Sequence, residues 1–153
     1  MKILQIATIG LPVTPDLRYG GTERVISYLD QVYIRWGHES MVAAPGDSRV
    51  RGKLIKTIPR SAWSTEKRSD SERRIKSSKE LEAKHYQKCI ETLLENPDIG
   101  IVHDHPGSGL ISSREFQDVV GKLETPILQT LHGPFVEGRR SQYGLWQKNS
   151  TRI

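Results

Sequence analysis

Residues 2–37 read KILQIATIGLPVTPDLRYGGTERVISYLDQVYIRWG, and this stretch decides the fold. It begins with a short apolar run, residues 2–7, that is typical of a buried β-strand. A loop rich in glycine and proline follows, and apolar residues from Val25 to Ile34 then show helical spacing. Gly37 is placed to end that helix in a left-handed cap. A strand, a loop and a helix in this order predict one unit of an α/β fold.

The remaining sequence repeats the alternation of strands and helices. Further strands are predicted at residues 40–44, 99–103 and 126–131, with a weaker one at 54–58. One helix is predicted to end at Asn96-Pro97, and another lies within residues 110–123. Strands separated by helices predict a Rossmann-like, doubly wound α/β fold, in which a mainly parallel sheet has helices on both faces.

Length and composition exclude several classes of protein. The 153 residues suit one domain, and a chain of this length can bury a real core. No apolar run is long enough to span a bilayer, and the apolar N-terminal segment is too short for a secretory signal. Cys89 is the single cysteine, so an internal disulfide is excluded. These features predict a cytoplasmic protein.

The positive charge is concentrated in one segment. The chain has a net charge of +5, whereas residues 51–90 alone carry twelve basic and five acidic side chains. Residues 60–78 contain few apolar side chains, so we predict an exposed, mobile basic loop there. A solvated loop is the favoured interpretation, and peripheral contact with an anionic membrane at its inner face is the alternative. Nucleic-acid binding is not expected, because regularly interleaved aromatic residues are missing.

Three motifs follow predicted strands and should meet at the carboxyl edge of the sheet, where ligands bind in such folds. The first is Gly20-Gly21 at the start of the first helix, where free backbone N–H groups favour a phosphate or carboxylate. A tight turn that needs positive φ is the alternative. The second is His103-Asp104-His105, whose alternation places both imidazoles on one face of the strand. The third is His132, just after the last strand.

Each candidate has a competing structural interpretation. Two imidazoles on one face suit zinc, but no third ligand is evident nearby, so no metal site is expected. His132 either faces a ligand or holds its loop by hydrogen bonds. His85 and Cys89 lie four residues apart on one helix face, which favours a place in the core over a pair of ligands. Glu23 and Arg24 fall in the first turn of the first helix, where a carboxylate is favourable.

The joint occurrence of these motifs resembles a known family. The segments MKILQIATIGLPV, YGGTERVISYLDQVYIRWGHES, IVHDH and PILQTLHG, in this order, resemble the N-terminal domain of a GT-B glycosyltransferase of the family 4 type. The resemblance covers residues 1–133, with a variable region at about 50–80. It implies two Rossmann-like domains that face a cleft. The N-terminal domain receives the acceptor, and the C-terminal domain holds most of the nucleotide-sugar.

The resemblance also implies roles for individual residues. Gly20 and Gly21 match the backbone that approaches the donor diphosphate, and His132 matches the catalytic histidine that contacts the transferred sugar. The implied reaction is transfer of a hexosyl group from a nucleotide-sugar to a sugar or lipid-linked acceptor, with retention and without a metal or other cofactor. Candidates for the cleft rim, with no assigned role, are His103, His105, Glu23 and Arg24.

The family has a second, donor-binding domain, which we expect to be absent from this chain of 153 residues. We therefore expect residues 1–153 to form the acceptor-side domain, which would be inactive alone. It would be an expressed domain, a truncated gene product or half of a split enzyme. Two other functions remain open. One is a stand-alone module that binds an anionic surface or a partner chain, and the other is a nucleotide-sugar epimerase of the same architecture.

Overall fold

The computed structural model describes residues 1–64, 71–106, 109–119 and 122–132. Its strands confirm the predicted ones within a few residues. The elements in chain order are β1 (Lys2–Ile6), α1 (Gly21–Arg35), β2 (Glu39–Ala44), β3 (Lys53–Lys56), a 3-10 turn (Ala62–Ser64), α2 (Ser71–Glu95), β4 (Ile99–Asp104), a second 3-10 turn (Leu110–Ser112), α3 (Arg114–Gln117) and β5 (Ile127–Gln129).

The described strands form one parallel sheet in the order β3-β2-β1-β4-β5. The chain builds outward from β1 to β3, and then returns to the other side of β1 for β4 and β5. Pairing continues at the carboxyl edge, where the amide of His105 donates to the carbonyl of Ile6 at 3.1 Å. The direction of winding therefore reverses between β1 and β4, which is where ligands bind in open α/β sheets. The Rossmann-like α/β fold is confirmed.

Alternate residues of the central strands point into two cores on opposite faces of the sheet. Leu4 and Met41 pack towards α2 and α3, and their buried partners there include Tyr86, Cys89, Ile90, Leu93, Leu110 and Phe116. On the other face Val42 packs with Ile26 of α1. Helices thus cover both faces, as the alternation of strands and helices predicts.

The end of α1 follows from Gly37. This residue has φ of 78°, and its amide donates to the carbonyl of Ile34 at 3.0 Å. The next amide, of His38, donates back to Tyr33 at 2.9 Å. The predicted left-handed cap is confirmed, because these two bonds satisfy carbonyls that the helix leaves free.

The predicted basic loop at residues 60–78 is wrong for its second half, because α2 begins at Ser71. The segment SERRIKSSKELE, from residue 71, is rich in Glu, Arg and Lys, which favour helices even where few apolar residues are present. Packing of Tyr86 and Leu93 further along anchors the same helix. Residues 65–70 lie outside the described residues.

The segment 110–123 contains the predicted helical structure in a shorter form. It holds a 3-10 turn and the four-residue α3, which begins where the hydroxyl of Ser113 accepts the amide of Phe116 at 3.1 Å. Among the described residues, none of the helices combines the length and apolarity that a bilayer crossing requires.

Candidate functional site

The structure distinguishes the two glycines at the start of α1. Gly20 has φ of 130°, and a Cβ there would lie 2.5 Å from Leu17 and 2.8 Å from a carboxylate oxygen of Glu23. The backbone and the packing therefore both require glycine at this position, as the turn alternative supposed. Gly21 has no such constraint, because a Cβ there would meet no atom of the described residues within 4 Å.

Gly21 leaves open space in front of the N-terminus of α1. It is the first residue of the helix and is exposed, and among the described residues no side chain caps this end of the 15-residue helix. The first amides of a helix lack intrahelical partners and carry the positive end of its dipole. The site is therefore open to an anion such as a phosphate.

Glu23 links the glycine loop to the histidines. Its side chain is buried, and its carboxylate accepts a hydrogen bond from the hydroxyl of Thr8 at the end of β1. It also acts on His132. Burial lowers the pKa of His132, and the negative charge of Glu23 opposes this shift in part. Arg24 lies next to it on α1, but its side chain is exposed.

Three histidines stack at the ends of β4 and β5. The ring centroids of His103 and His105 are 4.0 Å apart, and those of His105 and His132 are 5.2 Å apart. The Nδ1 atom of His105 lies 2.9 Å from the Nε2 atom of His132. His103 and His105 are buried, whereas His132 is exposed at the outer end of the stack.

The inner histidine is held on both ring nitrogens. Nδ1 of His103 lies 3.0 Å from the hydroxyl of Tyr33 on α1, and Nε2 lies 2.7 Å from the hydroxyl of Thr130 after β5. Nε2 of His105, by contrast, is buried and has no hydrogen-bond partner among the described residues. The stack is thus fixed at His103 and open to a ligand at His132.

All three imidazoles should be neutral near pH 7. Burial, with the neighbouring histidines adding to it, lowers the pKa of His105 to about 3. Burial first and His132 second lower the pKa of His103. A neutral imidazole has one donor and one acceptor nitrogen. When Nε2 of His132 accepts from His105, its Nδ1 carries the proton and can donate to a ligand.

A cavity of about 490 Å³ opens beside the glycine loop, at the carboxyl edge of the sheet. Gly21 and Glu23 of α1, Trp63 of the first 3-10 turn and Glu82 of α2 are among the residues that line it. His132 is not among the lining residues, so the cavity and the histidine stack are separate features. Glu23 belongs to both, since it borders the cavity and its charge reaches His132.

Other candidates of the sequence have structural roles. His85 and Cys89 are buried in the core, with Sγ 3.9 Å from Nε2, and Nδ1 of His85 lies 2.7 Å from the hydroxyl of Thr57. Asp104 points away from the histidines, and its Oδ2 accepts the amide of Leu110 at 2.6 Å. Within the described ranges, no group of three or more His, Cys, Asp or Glu side chains is arranged to hold a metal ion.

Sequence reasoning missed the partners that hold the site. Tyr33 lies in a helical pattern that gave no sign of its contact with His103, which is 70 residues away. Trp63, which lines the cavity, could have been detected in the sequence as an aromatic residue in a polar segment. The chain matches no family model and no curated protein.

Proposed function

We propose that this chain is the acceptor-side domain of a glycosyltransferase. The reaction would transfer a hexosyl group from a nucleotide-sugar to a sugar or lipid-linked acceptor in the cytoplasm, with retention and without a metal. The observation that supports this most is that Gly21, at the start of α1, and His132, after β5, lie at the same edge of the sheet, with Glu23 lining the cavity at Gly21 and acting electrostatically on His132. The two positions are those that the resemblance assigns to the donor.

The start of α1 would bind the donor diphosphate. The missing side chain of Gly21 lets phosphate oxygens approach the first amides of the helix. As the bond between sugar and diphosphate breaks, negative charge grows on the leaving oxygen. Fixed amide dipoles stabilise that charge without having to reorganise, which lowers the barrier.

His132 would act on the transferred sugar. Its ring is held by the 2.9 Å hydrogen bond to the buried His105, so its other nitrogen, Nδ1, is oriented before a ligand arrives. A neutral imidazole can donate to a sugar hydroxyl and does not repel the positive charge that develops at the reacting carbon. Loss of one such donor typically lowers turnover by a factor of about 10²–10³.

Glu23 is a positioning residue in this mechanism. Its carboxylate accepts a hydrogen bond from the hydroxyl of Thr8, and its negative charge acts to raise the pKa of His132. It therefore fixes the start of α1 against the end of β1, and keeps the diphosphate site and the histidine in one arrangement. Catalysis would depend on positioning and on stabilisation of the leaving group.

The proposal can be tested by nuclear magnetic resonance on the whole chain. UDP-glucose and GDP-mannose are titrated into ¹⁵N-labelled protein, and amide shifts are recorded. We expect weak binding, with shifts concentrated at Gly21, Thr22 and His132, and loss of that response in His132→Ala. The matched control is His38→Ala, since His38 precedes β2 at the opposite edge of the sheet.

The same NMR titration also has outcomes that would count against the proposal. Shifts that cluster away from the carboxyl edge would contradict the proposal, as would a His132→Ala response equal to that of the unmodified chain. Assayed together with a donor-binding domain, His132→Ala should lower kcat by a factor of about 10²–10³, while His38→Ala should leave it unchanged.

A further inference from the structure

The cavity beside Gly21 has an aromatic wall. The amide of Trp63 donates to the carbonyl of Gly10 at 3.0 Å, which fixes the 3-10 turn against the loop after β1. A Cβ at Gly10 would lie 3.1–3.3 Å from three atoms of the indole. Distances this similar place Gly10 against a face of the ring. The indole lines the cavity and Trp63 is 63% exposed, so its other face is available to a ligand.

The charged side chains among the described residues that line this cavity are acidic. Glu23 projects from α1 and Glu82 from α2, and the described lining residues include no lysine or arginine, although the chain carries a net charge of +5. Burial raises the pKa of Glu82, and Lys79 opposes this. A carboxylate in partly desolvated surroundings attracts hydrogen-bond donors and repels an anion placed next to it, so the Glu82 end of the cavity disfavours an anion, whereas the α1 amides at Gly21 attract one.

An aromatic face beside carboxylates is a chemical match for a sugar ring. The C–H bonds on one side of a pyranose are polarised positive and rest well on the negative face of an indole. Sugar hydroxyls donate to carboxylate oxygens, in the stronger class of hydrogen bond that an ionised acceptor gives. The volume of 490 Å³ lies within the range of about 300–1,000 Å³ that small-molecule sites occupy.

We propose that this cavity is the acceptor subsite, and that it takes a sugar ring without an anionic substituent, stacked on Trp63 and hydrogen-bonded to Glu82. The inference rests on the proposed function, which supplies the role of acceptor. Gly21 lines the same cavity, so the acceptor ring would sit next to the donor diphosphate. The phosphate of a lipid-linked acceptor would then stay outside, and only the sugar would enter.

The experiment compares three probes that share one ring: methyl glucoside, methyl glucosaminide and methyl glucuronide. Binding to the whole chain is measured by NMR titration without any nucleotide-sugar. We expect the neutral and the amino sugar to bind, and the glucuronide to bind at least about tenfold more weakly. Equal or tighter binding of the glucuronide would overturn the proposal, and so would an absence of binding by all three.

Matched variants locate the site. Trp63→Ala should weaken binding of methyl glucoside about tenfold, whereas Trp36→Ala, which removes an indole that is 69% exposed on the end of α1, should not. Glu82→Gln should weaken binding, and Glu80→Gln, at an exposed position of the same helix, should leave it unchanged. Unaltered binding in Trp63→Ala or Glu82→Gln would place the sugar elsewhere and refute the assignment.

The glycoside titration and the nucleotide-sugar titration can fail independently of each other. No nucleotide-sugar is present in the glycoside titration, so a negative result there leaves the donor site at Gly21 and His132 standing. A negative donor titration with intact glycoside binding would instead indicate a sugar-binding domain, and would refute the proposed transfer.

Discussion

Nδ1 of His105 lies 2.9 Å from Nε2 of His132, and this hydrogen bond joins the end of β4 to the residues that follow β5. His105 is 1% exposed, so its ring is fixed by the core around it. The hydrogen bond to His105 holds the ring of the exposed His132 in a fixed orientation. The buried His105 therefore positions the exposed His132.

Gly20 and Gly21 should respond in opposite directions to alanine. Gly21→Ala should raise the free energy of unfolding by roughly 0.5–1 kcal/mol, since alanine suits a helix better and meets open space there. It should also weaken binding of nucleotide-sugar, because the methyl group stands in front of the helix amides. Urea denaturation and the donor titration measure the two effects.

Gly20→Ala is the contrasting variant of this pair. Its positive φ and the contact with Leu17 should lower the free energy of unfolding by roughly 1–3 kcal/mol. Equal effects of the two substitutions on stability would contradict the distinction drawn between these glycines.

The hydrogen bond between Tyr33 and His103 should stabilise the fold. Tyr33→Phe leaves the buried Nδ1 of His103 without its partner, so we expect a loss of about 1–3 kcal/mol in the free energy of unfolding. Tyr28→Phe removes a hydroxyl that lies on the same helix, from a side chain that is 66% exposed, and should change stability by less than about 0.5 kcal/mol. Thermal denaturation of both variants decides whether the buried contact matters.

Asp104 should make the fold less stable as the pH rises. Burial raises its pKa from 3.8 to about 7, against the opposing hydrogen bond from Leu110. Between these two values the folded chain keeps a proton that the unfolded chain has lost, so the free energy of unfolding falls with increasing pH. Asp104→Asn cannot ionise. Relative to the unmodified chain it should gain stability between pH 4 and 8, by roughly 4 kcal/mol in all.

The test is urea denaturation of both proteins across that range of pH. Asp118→Asn, at an exposed position, is the matched control for the replacement of an aspartate by asparagine. A difference between Asp104→Asn and the unmodified chain that stays constant from pH 4 to 8 would show that Asp104 is not protonated in the folded state.

Glu23 should influence the protonation of His132. Burial lowers the pKa of His132, and the carboxylate of Glu23 raises it, so Glu23→Gln should lower this pKa further. The measurement is an NMR titration of the imidazole C–H signals. Glu39→Gln, at the opposite edge of the sheet, should leave the titration of His132 unchanged. A His132 pKa that rises or stays constant in Glu23→Gln would show that the charge of Glu23 does not raise the pKa of His132.

The amino-acid sequence by itself determined the strands, the parallel arrangement and the edge at which the motifs meet. Each of these follows from local patterns: apolar runs of strand length, helical spacing from Val25 to Ile34, and a glycine at position 37. Alternation along β4 was also enough to separate His103 and His105 from Asp104. Such patterns are readable because backbone geometry repeats every two residues in a strand and every 3.6 in a helix.

Only the tertiary structure decided which side chains touch. It separated Gly20, where the backbone requires glycine, from Gly21, where it does not. It also placed the hydroxyl of Tyr33 on His103, and brought Glu82 and Trp63 to the wall of one cavity. It also showed α2 beginning at Ser71, within the stretch that composition had predicted as a loop. These contacts join residues far apart in the chain. Their distances depend on how helices pack on the twisted sheet, and no local pattern of the sequence carries that information.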